Sequence, residues 1–185
     1  MWCIIKEILK RERERINMSK IYNVLDVSLY VVNYSAKKET PISNLQLQKI
    51  LYYIQAMFLV NKGVECFKED IVRWTYGPVV KEAYDEFRAY GNNKIPKEAQ
   101  YSNISFDNKT NNIKFEQKKL DEGVFLPEDI ALMNSVIEAY RNKEAFELVN
   151  KTHSEDPWKK TKPNEIMKKE IIRNYYVSNK ENILQ

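Results

Sequence analysis

Ser43-Asn44-Leu45-Gln46-Leu47-Gln48-Lys49-Ile50-Leu51-Tyr52-Tyr53-Ile54-Gln55-Ala56-Met57-Phe58-Leu59-Val60-Asn61-Lys62-Gly63 is the stretch on which the fold turns. Ser43 with Gln46 three residues on is a capping box, in which hydroxyl and amide side chains satisfy each other's free backbone N–H groups. Gly63 supplies the left-handed stop at the other end. Between these signals Leu47, Ile50, Leu51, Ile54 and Phe58 form one face, while Leu45, Tyr52, Met57 and Leu59 make the other faces apolar too. A helix that is apolar all round is contacted from several sides, so the stretch predicts a central helix ending near Lys62. Its longest apolar run, Ile50 to Val60, is 11 residues with Gln55 inside it. That is too short to span a bilayer.

The flanking segments supply its neighbours. Val24, Val27, Val31 and Tyr34 recur at helical spacing, which predicts an amphipathic helix from Ile21 to Lys37 before Thr40-Pro41 breaks the chain. Residues 64–76, anchored by Val64, Phe67, Ile71 and Trp74, read as irregular or weakly extended. Gly77-Pro78 reads as a turn, with Pro78 at the first position of a helix over about 79–90 that stops at Gly91. Ile104 and Phe106 alternate on one side of an Asn/Asp-rich connection, and Ile113 and Phe115 on the other. That pattern predicts a small hairpin, which is marginal alone and is expected to lie on the helical body. Leu126-Pro127-Glu128-Asp129 opens a further helix carrying Ile130, Met133, Val136, Ile137 and Tyr140. A shorter helix follows over about 144–151, and a last one over about 164–178. The fold class is mainly α: a compact helical domain with one small β-hairpin.

Residues 1–17 stand apart. Lys10-Arg11-Glu12-Arg13-Glu14-Arg15 alternates charge without an apolar face. Two readings are open: a charged, disordered N-terminal arm, or a non-native extension upstream of a start at Met18. Either way, residues 18–185 form a single domain.

Composition excludes several function classes. Gly63, Gly77, Gly91 and Gly123 are the four glycines, so no phosphate-binding loop or dinucleotide fingerprint exists. One His and two Cys cannot furnish a four-ligand structural zinc site, and no metal or cofactor is expected. Cys3 and Cys66 make no disulfide framework and fit a reducing cytoplasm. Trp2 to Ile5 is interrupted at once by charge, which argues against a signal peptide. The net charge of +4 lies at the ends. Residues 1–17 and 159–185 together carry 12 basic and 6 acidic side chains, leaving 18 basic and 20 acidic between them. A near-neutral body argues against a nucleic-acid surface.

Three clusters are candidates for chemistry. His153, the lone histidine, and Cys66 would make the most economical nucleophile pair, against the ordinary reading of a turn histidine and a buried thiol. Glu82, Asp85 and Glu86 share a helix face, where pairing with Lys81 or Arg88 is the ordinary reading. Lys159, Lys160, Lys162, Lys168 and Lys169 are either a solvated face or a contact for an acidic partner or nucleic acid. No catalytic residue is assigned. The aromatics Tyr52, Tyr53, Trp74, Tyr76 and Tyr84 are dense enough to include exposed anchors as well as core.

Three stretches together resemble a known family: Leu47-Gln48-Lys49-Ile50-Leu51-Tyr52-Tyr53-Ile54-Gln55-Ala56; Trp74-Thr75-Tyr76-Gly77-Pro78-Val79-Val80 leading to Tyr84, Phe87 and Tyr90-Gly91; and Thr152-His153 with Pro157-Trp158. Their order and spacing are similar to the Panacea domain, the SocA-like antitoxin or phage-associated GepA-like family, over about residues 20–178. The resemblance implies a cytoplasmic bacterial or prophage-encoded antitoxin, not an enzyme. It would neutralise a protein toxin encoded next door by direct binding, or as an adaptor to a ClpXP-type protease. The alternative is a nucleic-acid-binding or autoregulatory protein using its basic ends. The signature and candidate contact residues are Gln48, Lys49, Tyr52, Tyr53, Trp74, Tyr76, Gly77, Pro78, Tyr84, His153 and Trp158, with Trp74, Tyr76, Tyr84 and Trp158 as candidate exposed anchors.

Overall fold

A computed structural model describes residues 20–107 and 111–185. The charged arm at 1–17, the Met18 start, Cys3 and the tip of the Asn-rich connection lie outside the described residues. In chain order the elements are α1 (Val24–Lys37), α2 (Asn44–Asn61), β1 (Ile71–Trp74), β2 (Gly77–Val80), α3 (Lys81–Phe87), β3 (Tyr101–Asp107), β4 (Asn112–Lys118), α4 (Pro127–Tyr140), α5 (Ala145–Ser154), α6 (Asp156–Lys160) and α7 (Lys169–Ser178). The described chain is mainly α, with two separate antiparallel hairpins, β1–β2 and β3–β4.

The capping box forms as expected, with Ser43 and Gln46 each bonding the other's backbone N–H. Gly63 follows the helix at φ 74°. Every residue of α2 from Gln46 to Leu59 is buried, because α1, α4, α5, α7 and the β1–β2 hairpin all pack around it. The polar residues on so enclosed a helix must find partners inside the protein, since an unpaired buried polar group costs about 1–3 kcal/mol. Gln55 donates to the Phe67 carbonyl and accepts from the Cys66 and Phe67 amides. Gln48 and Lys49 reach the β1–β2 hairpin.

That hairpin departs from the sequence expectation. Residues 71–74 are a regular strand, and Pro78 lies in β2 opposite Arg73 instead of opening a helix, which starts only at Lys81. The reason is visible in the backbone bonds. Arg73 directs its own N–H and C=O away from β2, to the Glu165 carbonyl and the Asn164 amide. Arg73 and Pro78 are thus a non-hydrogen-bonded pair, and the N–H that proline lacks is not needed. The same bonds shorten the last helix from its N-terminal side. Met167 donates to the Ile71 carbonyl and Ile166 bridges Val72, so the segment that follows the turn at Asn164 lies along β1, and α7 begins at Lys169.

The second hairpin forms as expected, and its strands pair Ile104 with Phe115 and Phe106 with Ile113. It does not lay those residues on the body: all four are exposed, by 56% to 77%. Tyr101 decides this. Its side chain is buried and its hydroxyl donates to Asp26 Oδ1 at 2.8 Å. Strand residues alternate faces, so burying Tyr101 turns Ile104 and Phe106 to the opposite side.

Candidate functional site

Three distant parts of the chain meet at the turn between β1 and β2. From α2, Lys49 Nζ donates to the Pro78 carbonyl at 3.1 Å, and Gln48 accepts from the Val80 amide at 2.9 Å. Gln48 also donates to Asn44, which in turn donates to the Tyr84 carbonyl. The Lys49 ammonium is fully enclosed, and burial lowers its pKa to about 7.

From α5, Thr152 and His153 approach the turn from the other side. Gly77 sits at φ 99°, and a Cβ there would lie 2.7 Å from Lys49 Cε and 2.8 Å from Thr152 Oγ1. No residue but glycine suits both that backbone and that space. His153 hydrogen-bonds the Thr75 backbone and stacks on Trp158, ring centroids 3.8 Å apart at 19°. Burial, reinforced by Lys49 and Arg73, lowers the imidazole pKa below its ordinary value. Trp158 completes the clamp. Its indole N–H donates to the Trp74 carbonyl at 3.3 Å, its own carbonyl accepts from Arg73 Nε, and the Arg73 guanidinium lies 3.9 Å from its ring centroid.

Beneath the clamp is a second polar cluster. Glu155, buried before α6, accepts from the hydroxyls of Tyr53 at 2.9 Å, Tyr176 at 2.5 Å and Tyr52 at 3.3 Å, and from Lys151 Nζ at 3.4 Å. Burial raises its carboxyl pKa, and these hydrogen bonds pull it back. Tyr52 and Tyr53 are therefore held by the interior and present no surface to a partner.

What the clamp displays is a cleft of about 660 Å³ lined by Asn44, Leu45, Trp74, Tyr76, Tyr84 and Phe146, with Arg88 also bordering it. Trp74 and Tyr84 pack edge to face at 4.9 Å and are half-buried. Tyr76 and Phe146 also meet edge to face, and are exposed by 58% and 62%.

The eleven candidate residues thus divide. Gln48, Lys49, Tyr52, Tyr53, Gly77 and Pro78 are buried and build the frame; His153 and Trp158 are half-buried members of the clamp; Trp74, Tyr76 and Tyr84 line the cleft. Leu45, Arg88 and Phe146 were missed. Phe146 carried a signal, since it falls off the buried α5 stripe of Leu148, Val149 and Thr152.

The alternative chemistries find no support in the geometry. Cys66 is buried, its thiol pushed up by burial and by Asp129 and Glu69, and these neighbours are not those of His153. Asp85 pairs with Lys81 and Arg88, as the ordinary reading had it. Of the basic run, Lys160 pairs with Asp156, Lys162 with Glu165 and Lys169 with Glu65. Among the described residues no His, Cys, Asp and Glu cluster could hold a metal ion, and no helix is long and apolar enough to cross a membrane.

Comparison with known proteins agrees with the motifs. Residues 47–159 match the family described as antitoxin SocA-like, Panacea domain. The chain is also similar to antitoxin SocA of Caulobacter vibrioides (strain NA1000 / CB15N), 38% identical over 65 residues, which is 35% of each chain. The similarity therefore spans about a third of that relative. No solved structure matches. The family match covers more than half of the chain and contains the clamp from Lys49 to Trp158, so this protein belongs to the SocA-like antitoxin family with a Panacea domain.

Proposed function

We propose that this chain is the antitoxin of a toxin–antitoxin pair, neutralising a protein toxin by direct binding at the cleft beside the β1–β2 turn. One observation carries the reading. The three motifs that mark the family converge on a single turn, where Gln48, Lys49 and Trp158 hydrogen-bond the hairpin backbone, and the turn projects Trp74 and Tyr76 into an aromatic cleft. Half-buried aromatics on a rigid support are the residue types that dominate protein–protein hot spots, because little side-chain freedom remains to be lost on binding. The toxin is the product of a neighbouring gene in this reading, and the complex forms in the bacterial cytoplasm. Delivery of the bound toxin to a ClpXP-type protease is compatible with the same contact. The nucleic-acid alternative is disfavoured, since the body between the two basic ends carries 18 basic against 20 acidic side chains.

The test is co-expression with the neighbouring gene product. That product is expected to arrest growth alone and to be harmless alongside this chain, and a non-toxic neighbour, or one that stays toxic, overturns the reading. Tyr76→Ala with Phe146→Ala removes two exposed rings, so the fold is expected to survive while toxin binding weakens by about 30-fold or more. Unchanged binding by isothermal titration calorimetry would move the contact off this cleft.

A further inference from the structure

The β3–β4 hairpin carries an apolar face that the rest of the described chain leaves uncovered. Its side chains are Ile104 and Phe106 from β3 and Ile113 and Phe115 from β4, all more than half exposed. At the base the face ends in the Ser102–Gln117 pair, joined by a 3.0 Å hydrogen bond. Lys114, Glu116 and Lys118 have the opposite parity and belong to the other face, so covering the apolar one buries no unpaired charge.

We infer that this face is the contact through which two copies of the chain associate. The arrangement of the four side chains points to a second copy. Ile104 stands opposite Phe115, and Phe106 opposite Ile113, so the two isoleucines lie on one diagonal and the two phenylalanines on the other. A closed dimer uses the same patch on both subunits, so the patch must complement itself under a two-fold rotation. This checkerboard does so. With the axis along the strands, Ile104 of one copy falls on Phe115 of the other and Phe106 on Ile113; with the axis across the strands, each isoleucine again meets a phenylalanine. Large side chains meet smaller ones in either case, which is the condition for two sheet faces to interdigitate.

The area is sufficient. At these exposures the four side chains present about 500 Å² per copy, near the upper end for the largest patch on a monomer. Two copies then cover about 1,000 Å², the lower bound of a specific interface. The association is therefore of the transient kind, with a dissociation constant in the micromolar range. Tyr101 makes it available by tying the base of the hairpin to the body from the opposite side.

Sedimentation of the full chain, without any partner, across the micromolar range tests this. A reversible monomer–dimer equilibrium is expected, and Phe106→Ser with Phe115→Ser should shift its midpoint by about 30-fold or more. Far-UV circular dichroism should be unchanged by these exposed substitutions. Ser105→Glu, on the other face, should leave the midpoint in place. A monomer at every concentration overturns the inference, as does equal weakening by Ser105→Glu. If the chain alone is monomeric while the double serine variant loses its toxin partner, the face belongs to that partner and self-association is again overturned. Failure of toxin neutralisation by the wild-type chain would count against the antitoxin reading and leave the dimer untouched.

Discussion

The two hairpins of this protein use the same local architecture and are held in opposite ways. In β1–β2 the backbone groups at the turn are bonded by Gln48 and Lys49 from α2, His153 from α5 and Trp158 from α6, and the outer edge of β1 is lined by residues 164–167. In β3–β4 the strands bond mainly to each other; the Tyr101 hydroxyl on Asp26 and the Ser102 amide on Glu86 tie the base to the body. A hairpin of four-residue strands has little intrinsic stability, so the first exists because side chains remote in sequence fix it. The second is longer and legible from its own alternation, yet its apolar face ends up in solvent. Rigidity at the first site and exposure at the second suit different tasks: one displays a shaped cleft, the other a flat apolar face.

The sharpest way to break the contrast is at Gly77. Gly77→Val adds backbone strain to a collision with Lys49 and Thr152, and should destabilise the protein by about 4 kcal/mol in urea denaturation. A loss below about 1 kcal/mol would mean that the turn can relax and is no clamp.

Next in size is a pH effect from Lys49. Its folded pKa of about 7 lies below that of an exposed lysine, so between about 7 and about 10.4 the unfolded chain binds a proton that the folded chain does not. Stability should therefore rise with pH across that window, by on the order of 4 kcal/mol. Lys49→Met should abolish the rise, as read from denaturation midpoints at a series of pH values. Gln48→Ala comes third, costing about 2 kcal/mol because it strands the buried Val80 amide and one side of Asn44.

The smallest effect belongs to the other hairpin. Phe115→Ser should change stability by no more than about 0.5 kcal/mol, since the ring contributes little burial to the folded monomer. A larger loss at low protein concentration would show that the apolar face packs on its own chain.

Much of the fold was legible because its signals are local. The capping box, Gly63 and the all-round apolar pattern of α2 need only their own few residues to act, and the alternation of β3 and β4 marked the hairpin in the same way. Gly77-Pro78 misled because a proline after a turn looks the same before a helix and in a strand. What separates the two cases is where Arg73 sends its backbone bonds, and that depends on residues about ninety positions later. The site was half legible. Its motifs could be named, but the division between buried frame and open cleft could not, and Glu155 with its three tyrosines gave no pattern at all.

By itself, then, the sequence determined the main helices, the central position of α2, the existence of the β3–β4 hairpin and the absence of a phosphate loop or zinc ligand set. These follow from spacing, capping and residue inventory, which act over one or two turns of chain. Only the tertiary structure decided that Lys49, Gly77, Thr152, His153 and Trp158 form one clamp, and which face of the second hairpin looks outward. Such outcomes depend on contacts among segments up to a hundred residues apart, where a single buried group such as Tyr101 selects between two faces that the local pattern leaves equivalent.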